Sequence, residues 1–430
     1  MKILIVNRST WNDRLANGNT LSNLFAQWPD AEYACLYCRD ALPENSCCRR
    51  YLSISPLNVV KNIFTPWKIG RSFVLDESSK PQIDSLESKL TDKTTKSNRS
   101  LFTLANELIY FWGQWKNSKY KNFIRDFNPD VVFCFGVPEP VMYETLKYVK
   151  KNTDAVIVSY YVDDLYNGRN KNKILKFIEK KRLKKIAEWS DKCYGISQLM
   201  CDEYSKIFNK EFSLLFKGCE IREPKKDYCL PIHFVYAGNL LFNRDKSLSS
   251  LANAIKSINN GEKKAFLDIY SGTNVSEDVR LTLNIKGSSQ LNPAKPFVEI
   301  KEILHDSDIV LHVESFDKDQ IDVVRLSFST KITDCMQSGA VLMAIGPKGI
   351  ASIEYPQKYI PGAIVVDDIE KLADIIRDII EHPNQLIDRA KSINEFAKNN
   401  VEIGQVRSRL MSEFSDLIKQ KKELNKKNKN

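Results

Sequence analysis

Lys331 and Asp334 lie one helical turn apart at the predicted start of a helix, behind a predicted buried strand. Ser329 or Thr330 can cap this helix. The helix macrodipole disfavours a cation in the first turn by about 0.3–1 kcal/mol, so a lysine there indicates a bound anion, and phosphate is the anion that the arrangement favours. The Asp334 carboxylate can accept hydrogen bonds from sugar hydroxyls beside that phosphate. The pair therefore predicts a site for a nucleotide sugar.

The elements that must position this pair are short apolar strands that alternate with helices. Residues 309–313 and 340–345 are apolar runs of strand type, and Gly339 ends the helix between them. The first such strand covers residues 2–6. Gly18, in the polar loop after it, allows either a close approach of the backbone to a ligand or a tight turn and nothing more. Strands that alternate with helices are typical of parallel sheets with crossover helices, so we predict an α/β fold.

Length and composition set broad limits on the kind of protein. A chain of 430 residues with 43% hydrophobic and 27% charged residues is ordinary for a globular protein of two or more domains. Polar residues follow the first strand directly, so we expect no signal peptide. No run approaches ~18 apolar residues, so we expect no membrane span, and we expect a cytoplasmic location. Ten cysteines at irregular spacings favour reduced thiols over disulfides. Strand alternation would send Cys35 and Cys38 to opposite faces, which disfavours a zinc cluster.

The formal net charge of +10 is concentrated in two segments. Residues 167–190 contain nine Lys or Arg against two Glu, and residues 419–430 contain six Lys against one Glu. The first segment predicts a basic amphipathic helix. Lys173, Lys176, Lys180 and Lys184 lie opposite an apolar stripe of Leu175, Ile178, Leu183, Ile186 and Trp189. Two interpretations remain open: a solvated surface helix, or a helix that binds anionic lipid with roughly 1 kcal/mol per basic side chain. No zinc-finger, RNA-binding or recognition-helix pattern accompanies the charge, which argues against a nucleic-acid function.

A long aromatic helix is predicted at residues 101–127. The residues before it, 78–100, are rich in Ser, Thr, Lys and Asp, and they predict a loop over a cleft. The large side chains of the helix are expected in the core, with membrane anchoring as the alternative. These side chains are Phe111, Trp112 and Trp115.

Several segments, taken in order along the chain, resemble family 4 glycosyltransferases of the GT-B fold. The longest covers residues 307–347, where Ser-Asp-Ile-Val-Leu is followed by Ser-Thr-Lys-Ile-Thr-Asp-Cys-Met-Gln-Ser-Gly and by an apolar strand that ends in Gly-Pro. Phe-Val-Tyr-Ala-Gly at 234–238 and Asp-Ile-Tyr-Ser-Gly at 268–272 are similar to the first strands of the family's second domain. Further similar pieces lie at residues 127–133, 155–164, 196–197 and 217–220. The order of the pieces carries the resemblance, because each piece alone is unspecific.

The resemblance implies two Rossmann-like domains that face each other across a cleft. It assigns residues 1–218 to an acceptor-binding domain and residues 219–399 to a domain that binds the nucleotide sugar. A helix at about residues 400–420 is implied to cross back onto the first domain. The remaining residues, 421–430, are predicted to form a basic disordered tail.

The implied reaction moves a sugar from a nucleotide diphosphate sugar to an acceptor. Negative charge grows on the departing diphosphate, and enzymes of the GT-B type meet it with Arg, Lys and helix amino termini, so neither a metal nor another cofactor is expected. Catalytic roles are implied for Asp163, Arg325 and Lys331. The residues assigned to donor binding are Gly238, Arg244, Lys246, Gly272, Glu314, Ser329, Thr330, Lys331 and Asp334.

The acceptor side is less complete in this chain. Asp163 stands where the family often has His, and its carboxylate, expected to stay ionised beside a basic cluster, can orient the acceptor hydroxyl. In retaining enzymes of this type the leaving phosphate can take the proton. Leu326 replaces the first of two glutamates that the family places eight residues apart, and Glu314 is a conjectured substitute. The residues assigned to acceptor binding are Gly18, Asn19 and Asp164.

These expectations combine into a metal-independent, retaining hexosyl- or N-acetylhexosaminyl-transferase. It would extend a lipid-linked glycan of a surface polysaccharide at the inner face of the membrane. Its predicted partners are the nucleotide-sugar donor, the glycan acceptor and an anionic membrane surface. Two alternatives remain open: a catalytically silent GT-B protein that binds nucleotide or glycan, which the missing glutamate favours, and a nucleotide-sugar epimerase of the same fold.

Overall fold

The protein consists of two compact units in a computed structural model that describes residues 1–13, 16–39, 42–64, 71–74, 99–168 and 172–427. The amino-terminal unit contains residues 1–196, 200–215 and 407–430, and the carboxyl-terminal unit contains residues 197–199 and 216–406. The chain passes from one unit to the other between Leu215 and Phe216, a little before the predicted boundary at 218. Both units have an α/β architecture, which confirms the predicted fold class.

A mixed sheet of eight strands forms the centre of the amino-terminal unit, in the order β4-β3-β2-β1-β5-β6-β7-β8. The strands are β1 (Lys2–Asn7), β2 (Glu32–Tyr37), β3 (Arg50–Ser53), β4 (Arg71–Val74), β5 (Val131–Phe135), β6 (Val156–Tyr161), β7 (Lys192–Gly195) and β8 (Phe212–Leu214). The edge strand β4 is antiparallel and the other pairs are parallel. Strands β5 and β6 are buried along their whole length, because helices cover both faces of a parallel sheet.

The helices of this unit connect the strands as crossovers. They are α1 (Ala16–Phe25), α2 (Pro56–Phe64), α3 (Arg99–Trp112), α4 (Ser118–Phe127), α5 (Pro140–Asn152), α6 (Lys173–Trp189) and α7 (Gln198–Phe208). Helix α6 is the predicted basic helix, and Leu175, Leu183 and Ile186 of its predicted apolar stripe are buried. Within the described residues, no helix has the length and apolarity that a bilayer span requires.

A parallel sheet of six strands, in the order β11-β10-β9-β12-β13-β14, forms the centre of the carboxyl-terminal unit. The strands are β9 (Ile232–Ala237), β10 (Ala265–Ser271), β11 (Ser289–Pro293), β12 (Ile309–Val313), β13 (Val341–Ile345) and β14 (Ile364–Val366). The helices are α8 (Arg244–Asn259), α9 (Glu277–Leu283), α10 (Phe297–Asp306), α11 (Lys318–Val324), α12 (Thr330–Gln337), α13 (Ala351–Tyr359), α14 (Leu372–Glu381) and α15 (Gln385–Asn400). The chain order reverses between β9 and β12, and ligands of such sheets bind at the carboxyl ends of the strands near that reversal.

The last helix, α16 (Ile403–Lys427), begins in the carboxyl-terminal unit and belongs to the amino-terminal unit from Arg407 onward. Phe414 is buried and packs edge-on against the Trp28 ring, with 5.7 Å between ring centroids. The Lys421 ammonium donates hydrogen bonds of 2.6 Å to the Ala155 carbonyl and to the Asp191 carboxylate. The predicted disordered tail is therefore wrong for residues 421–427, because these contacts hold them as helix; residues 428–430 lie outside the described residues.

The predicted long helix at residues 101–127 is also wrong, because the chain forms α3 and α4 there. Trp115, between them, turns inward, and its indole donates a hydrogen bond of 3.0 Å to the Tyr110 carbonyl. Asn117 then caps α4 through its side chain. Trp115 is in the core as predicted, but Phe111 and Trp112 are exposed on α3. Most of the predicted loop at residues 78–100 lies outside the described residues.

The packing of α16 gives a first prediction. Replacing Phe414 with alanine removes a buried aromatic ring from the core of the amino-terminal unit, so we expect a loss of about 3–5 kcal/mol in the free energy of unfolding. The exposed Leu424 on the same helix is the matched control, and Leu424→Ala should change stability by about 0.5 kcal/mol or less. Urea unfolding of the two variants measures the difference. Equal stability of the variants would contradict the assigned packing.

Candidate functional site

A pocket of about 380 Å³ lies at the carboxyl ends of β9 and β10 in the carboxyl-terminal unit. Gly238 and Gly272, which follow these two strands, are on its wall. One side of the pocket is apolar and comes from α10, with Phe297, Ile300 and Leu304. The opposite side comes from α12 and carries the charged residues Lys331 and Asp334. An apolar cavity with a few converging charged groups is the usual form of a small-molecule site.

Helix α12 starts as the sequence predicts. Ser329 is extended at φ −71° and ψ 123°, and its hydroxyl accepts a hydrogen bond of 3.3 Å from the Lys331 amide. Thr330 is the first helical residue. At the other end Gly339 has a φ of +81°, in the left-handed region, and a Cβ there would collide with the Glu223 carbonyl. Of the two predicted capping residues, Ser329 is the one that caps the helix, and the predicted end at Gly339 is confirmed.

The Lys331 ammonium is held in a narrow space beside β9. Its Nζ donates to the Tyr236 hydroxyl at 3.3 Å and lies 4.9 Å from the centroid of the Tyr236 ring. A Cβ at Gly238 would occupy the position of this Nζ, so the ammonium lies in space that the glycine leaves open. Burial, and then the positive charge of Arg244, lower the pKa of Lys331 from 10.5 to about 8. The pocket thus contains a cation that gains from an anionic ligand.

A buried polar network lies behind this lysine. The Tyr236 hydroxyl donates to the Asn239 carbonyl at 2.6 Å, and Arg244 Nη1 donates to the Asn239 side-chain oxygen at 2.7 Å. The Arg244 guanidinium also binds both carboxylate oxygens of Glu314, at 3.0 Å and 3.1 Å. Arg244 and Glu314 are both buried. This bidentate pair keeps the Arg244 charge compensated inside the unit.

Glu314 has a second buried neighbour, His312. The His312 Nε2 atom lies 3.4 Å from a Glu314 carboxylate oxygen, and neither ring nitrogen has a hydrogen-bond partner within the described part of the chain. Burial, followed by the charges of Lys331 and Arg244, places the pKa of His312 well below its usual value, so the imidazole is neutral. Burial raises the pKa of Glu314, and Arg244 opposes that shift. Arg244, followed by Lys331, therefore favours the ionised form of Glu314.

Asp334 is half-buried on the pocket wall, one helical turn beyond Lys331. Burial raises the pKa of its carboxyl, and the ammonium groups of Lys217, Lys301 and Lys331 act in the opposite direction. Lys301 also lines the pocket, on the α10 side. The carboxylate thus offers two acceptor oxygens to a ligand between two lysines.

Comparison with known proteins supports this architecture. No protein-family model and no curated protein sequence matches the chain. Among solved structures, HepE from Anabaena in complex with UDP aligns with a TM-score of 0.61 at 11% identity, over 97% of this chain and 100% of that one. A sucrose-phosphate synthase from Thermosynechococcus elongatus aligns with a TM-score of 0.60 at 10% identity, over 97% and 99%. The amino-terminal domain of a trehalose-6-phosphate phosphatase from Candida albicans aligns with a TM-score of 0.58 at 10% identity, over 97% of each chain.

The chain has the GT-B fold. The predicted fold is thereby confirmed, while membership of family 4 stays a prediction, because identities of 10–11% establish the fold alone.

Within this GT-B fold, the predicted donor residues fall into four groups. Four of them line the pocket: Gly238, Gly272, Lys331 and Asp334. Ser329 and Thr330 form the start of α12, and Arg244 and Glu314 pair with each other behind the pocket. Lys246 does not reach the pocket wall, because its side chain is exposed and its ammonium binds the Asp317 carboxylate at 2.6 Å. Arg325 directly follows α11, where its carbonyl accepts from the Ala351 amide at 2.8 Å, and it is not among the lining residues.

Several lining residues were not predicted from the sequence. Tyr236 is not a lining residue, but its place beside Lys331 could have been anticipated, because it precedes Gly238 by two positions and so lies on the same face of the sheet. Tyr270 has the same relation to Gly272 on β10. Lys295 and Phe297 could not have been found in this way, since their place depends on how α10 packs beside the sheet.

The predicted acceptor residues lie in the amino-terminal unit of the GT-B fold. At Gly18 a Cβ would collide with the Asn12 backbone. The space beside this glycine is therefore occupied by the protein's own backbone and not by a ligand. Asn19 is exposed, and its side-chain amide donates to the Asp13 carbonyl at 3.1 Å. The Asp164 carboxylate accepts from the Tyr204 hydroxyl at 2.8 Å and from the Asn167 amide at 3.1 Å. These contacts give Asp164 a role in shaping the turn after β6.

Asp163 is exposed beside that turn. Desolvation by the neighbouring chain raises the pKa of its carboxyl. This direction is contrary to the expectation that a basic cluster would favour the ionised form. The group is available to a ligand of the amino-terminal unit. Within the described residues, no group of three or more His, Cys, Asp or Glu side chains is placed to hold a metal ion.

The Arg244–Glu314 pair gives the second prediction. Arg244→Ala leaves the Glu314 carboxylate buried without a counter-charge, so we expect a loss of about 3–5 kcal/mol in the free energy of unfolding. Replacing both partners by apolar residues, Arg244→Leu with Glu314→Met, removes the uncompensated charge and should restore much of that loss. Urea unfolding measures both variants. A double variant less stable than the single one would show that the pair is not an isolated buried ion pair, and Lys246→Ala serves as the exposed control.

Proposed function

We propose that this protein is a glycosyltransferase that takes a sugar from a nucleotide diphosphate sugar bound in the pocket of the carboxyl-terminal unit. The observation that carries the proposal is the Lys331 ammonium, which sits at the start of α12 in space left by Gly238. A poorly solvated cation in the first turn of a helix favours a phosphate group as its ligand. The UDP bound to HepE, a protein of the same fold, supports a nucleoside diphosphate as the ligand.

The Lys331 ammonium stabilises the departing diphosphate. As the bond between sugar and phosphate breaks, a further negative charge grows on the diphosphate, and a fixed cation in a poorly hydrated pocket stabilises that charge more than water does. The Tyr236 contact holds the ammonium in place before the ligand arrives. Since Arg244 is compensated by Glu314, we assign the phosphate contact to Lys331 and not to Arg244. The reaction needs no metal in this proposal.

The remaining pocket residues hold the nucleoside. The Asp334 carboxylate accepts hydrogen bonds from the ribose hydroxyls, one helical turn from the phosphate site. Tyr270 and Phe297 form the apolar wall against which a base can lie. A shorter carboxylate than the glutamate usual in family 4 enzymes places the ribose closer to the α12 backbone.

The acceptor is proposed to be a lipid-linked glycan that is extended in a surface polysaccharide pathway at the inner face of the membrane. The transferred sugar is a hexose or an N-acetylhexosamine, and the transfer proceeds with retention. Asp163 orients the acceptor hydroxyl, and the leaving phosphate takes its proton. The basic helix α6 supports a location at an anionic membrane. Retention, acceptor and pathway rest on the family resemblance.

A second candidate is a GT-B protein that binds nucleotide without catalysis. The observation that favours it is Leu326, which is buried and apolar where the family places a glutamate. The two candidates differ in one measurement. A catalyst releases the nucleoside diphosphate from its nucleotide sugar, either by transfer or by slow hydrolysis, whereas a binding protein is stabilised by the same compound and releases nothing.

Nucleotide binding provides the third prediction. Among UDP, GDP and ADP we expect one to raise the melting temperature most, and Lys331→Ala should weaken its binding by about tenfold to a hundredfold, because a charge-assisted hydrogen bond contributes about 1.5–3 kcal/mol. Lys246→Ala is the matched control, since this lysine is exposed and bound to Asp317. Titration calorimetry measures the affinities. An unchanged affinity in Lys331→Ala, or an equal loss in Lys246→Ala, contradicts the phosphate assignment.

The pH dependence of binding is the fourth prediction. Free Lys331 has a pKa of about 8 and the diphosphate prefers its charged form, so affinity should be highest below pH 8 and fall about tenfold between pH 7 and pH 9. Lys331→Met should bind weakly with no such slope. The stability of the free protein should change in the opposite sense: the unfolded pKa is 10.5, so this group adds stability as pH rises from 8 to 10.5. A flat binding profile in the wild type would contradict the lowered pKa.

A further inference from the structure

Helix α3 presents an apolar face to solvent in the amino-terminal unit. Between residues 103 and 112 every exposed side chain is apolar. Their spacing of three or four residues places them on one stripe of the helix. The largest are Phe111 at 82% and Trp112 at 67% exposure, preceded by Leu104 at 43% and Leu108 at 41%. A stripe of this kind on a surface helix usually marks a binding surface.

Helix α6 has a mixed exposed face. Phe177 is 67% exposed and Ile174 is 71% exposed, although the buried stripe of this helix lies on the other side. Lys173 and Lys181 lie four residues before and after Phe177, and both are exposed. Lys184, one turn further, is exposed as well. Lysine ammoniums therefore surround the two apolar side chains on the same face.

An ion pair joins the two helices. The Arg182 guanidinium of α6 binds both carboxylate oxygens of Glu107 on α3, at 2.6 Å and 2.7 Å. Glu107 is one helical turn before Phe111 and Arg182 is two turns after Ile174, so each partner flanks the exposed face of its own helix. Glu107 is the one acidic residue of α3, which covers residues 99–112, and the ion pair neutralises its charge. We call this region the α3–α6 surface. It consists of the exposed apolar residues and the exposed lysines beside them: Leu104, Leu108, Phe111, Trp112, Ile174, Phe177, Lys173, Lys181 and Lys184.

We propose that the α3–α6 surface binds an anionic lipid bilayer, with its apolar side chains inserted at the level of the headgroups. Its composition fits that partner: a tryptophan and two phenylalanines for the interface, and lysines beside them for lipid phosphates. Helix α6 carries seven Lys or Arg against one Glu between residues 173 and 185. The general membrane association proposed above rests on charge alone and names no inserted residue. The α3–α6 surface adds those residues, and it does not depend on the donor pocket.

Vesicle sedimentation of the full-length protein tests this proposal. Wild type should sediment with phosphatidylcholine vesicles that contain phosphatidylglycerol and much less with phosphatidylcholine alone. The double variant Phe111→Ser with Trp112→Ser should bind the anionic vesicles about tenfold to a hundredfold more weakly. Leu281→Ser with Leu424→Ser makes the same chemical change at positions that are 64% and 59% exposed elsewhere, and it should bind like wild type.

Two further measurements separate the outcomes. The melting temperature of the double variant, and its shift with UDP, should match those of wild type, which distinguishes loss of the surface from loss of the fold or of the donor site. No sedimentation of wild type with anionic vesicles overturns the proposal. Sedimentation that depends on Lys173, Lys181 and Lys184 but not on Phe111 and Trp112 also overturns it, because charge alone then suffices. A wild-type dimer that the double variant converts to a monomer would assign the surface to a second copy of the chain instead.

Discussion

The Lys331 ammonium has to stay charged although the fold removes it from much of the surrounding water, and the nearby residues are arranged around this requirement. The shift of its pKa from 10.5 to about 8 corresponds to roughly 3 kcal/mol of unfavourable interaction for the charged form in the free protein. Gly238 leaves the space, the Tyr236 ring and hydroxyl supply partial compensation, and the Glu314 carboxylate screens the nearby Arg244. The part of the Lys331 charge that the protein does not compensate is available to an anion. The same unfavourable burial of this charge therefore lowers the stability of the free protein and increases its affinity for a diphosphate.

The buried Arg244–Glu314 pair illustrates how two residues predicted to bind the donor can instead bind each other. Arg244 begins α8 and Glu314 directly follows β12, so the sheet order β9-β12 brings together residues that are 70 positions apart. Once paired, they hold Asn239 and, through it, Tyr236. The neutral His312 fits beneath them because a protonated imidazole would repel both Arg244 and Lys331. The charges of the inner Arg244–Glu314 pair therefore compensate each other, whereas the charge of Lys331 at the pocket wall has no such partner in the pair.

Local signals in the sequence predicted the elements that carry this site, whereas side-chain partners required the fold. The apolar run of β12, the Ser329 cap and Gly339 were readable because each depends on neighbours within a few residues. Lys331 and Asp334 were found for the same reason. The pairing of Lys246 with Asp317 depends on contacts between distant segments, so it could not be read from the sequence. Of the three aromatic residues predicted in the core, Trp115 alone is buried, because composition does not say which face of a helix is covered.

Helix α16 gives the amino-terminal unit a folding requirement that the other unit lacks. The hydrophobic core around Trp28 and Phe133 includes Phe414, which is synthesised after the entire carboxyl-terminal unit. During translation the first sheet therefore emerges without a side chain that completes its core, while the second sheet already has all of its strands. The carboxyl-terminal unit is thus in a position to fold while the chain is still being made, and the amino-terminal unit reaches its final stability only after residues 407–427 leave the ribosome. A nascent chain that stops before them would expose apolar surface to chaperones and proteases.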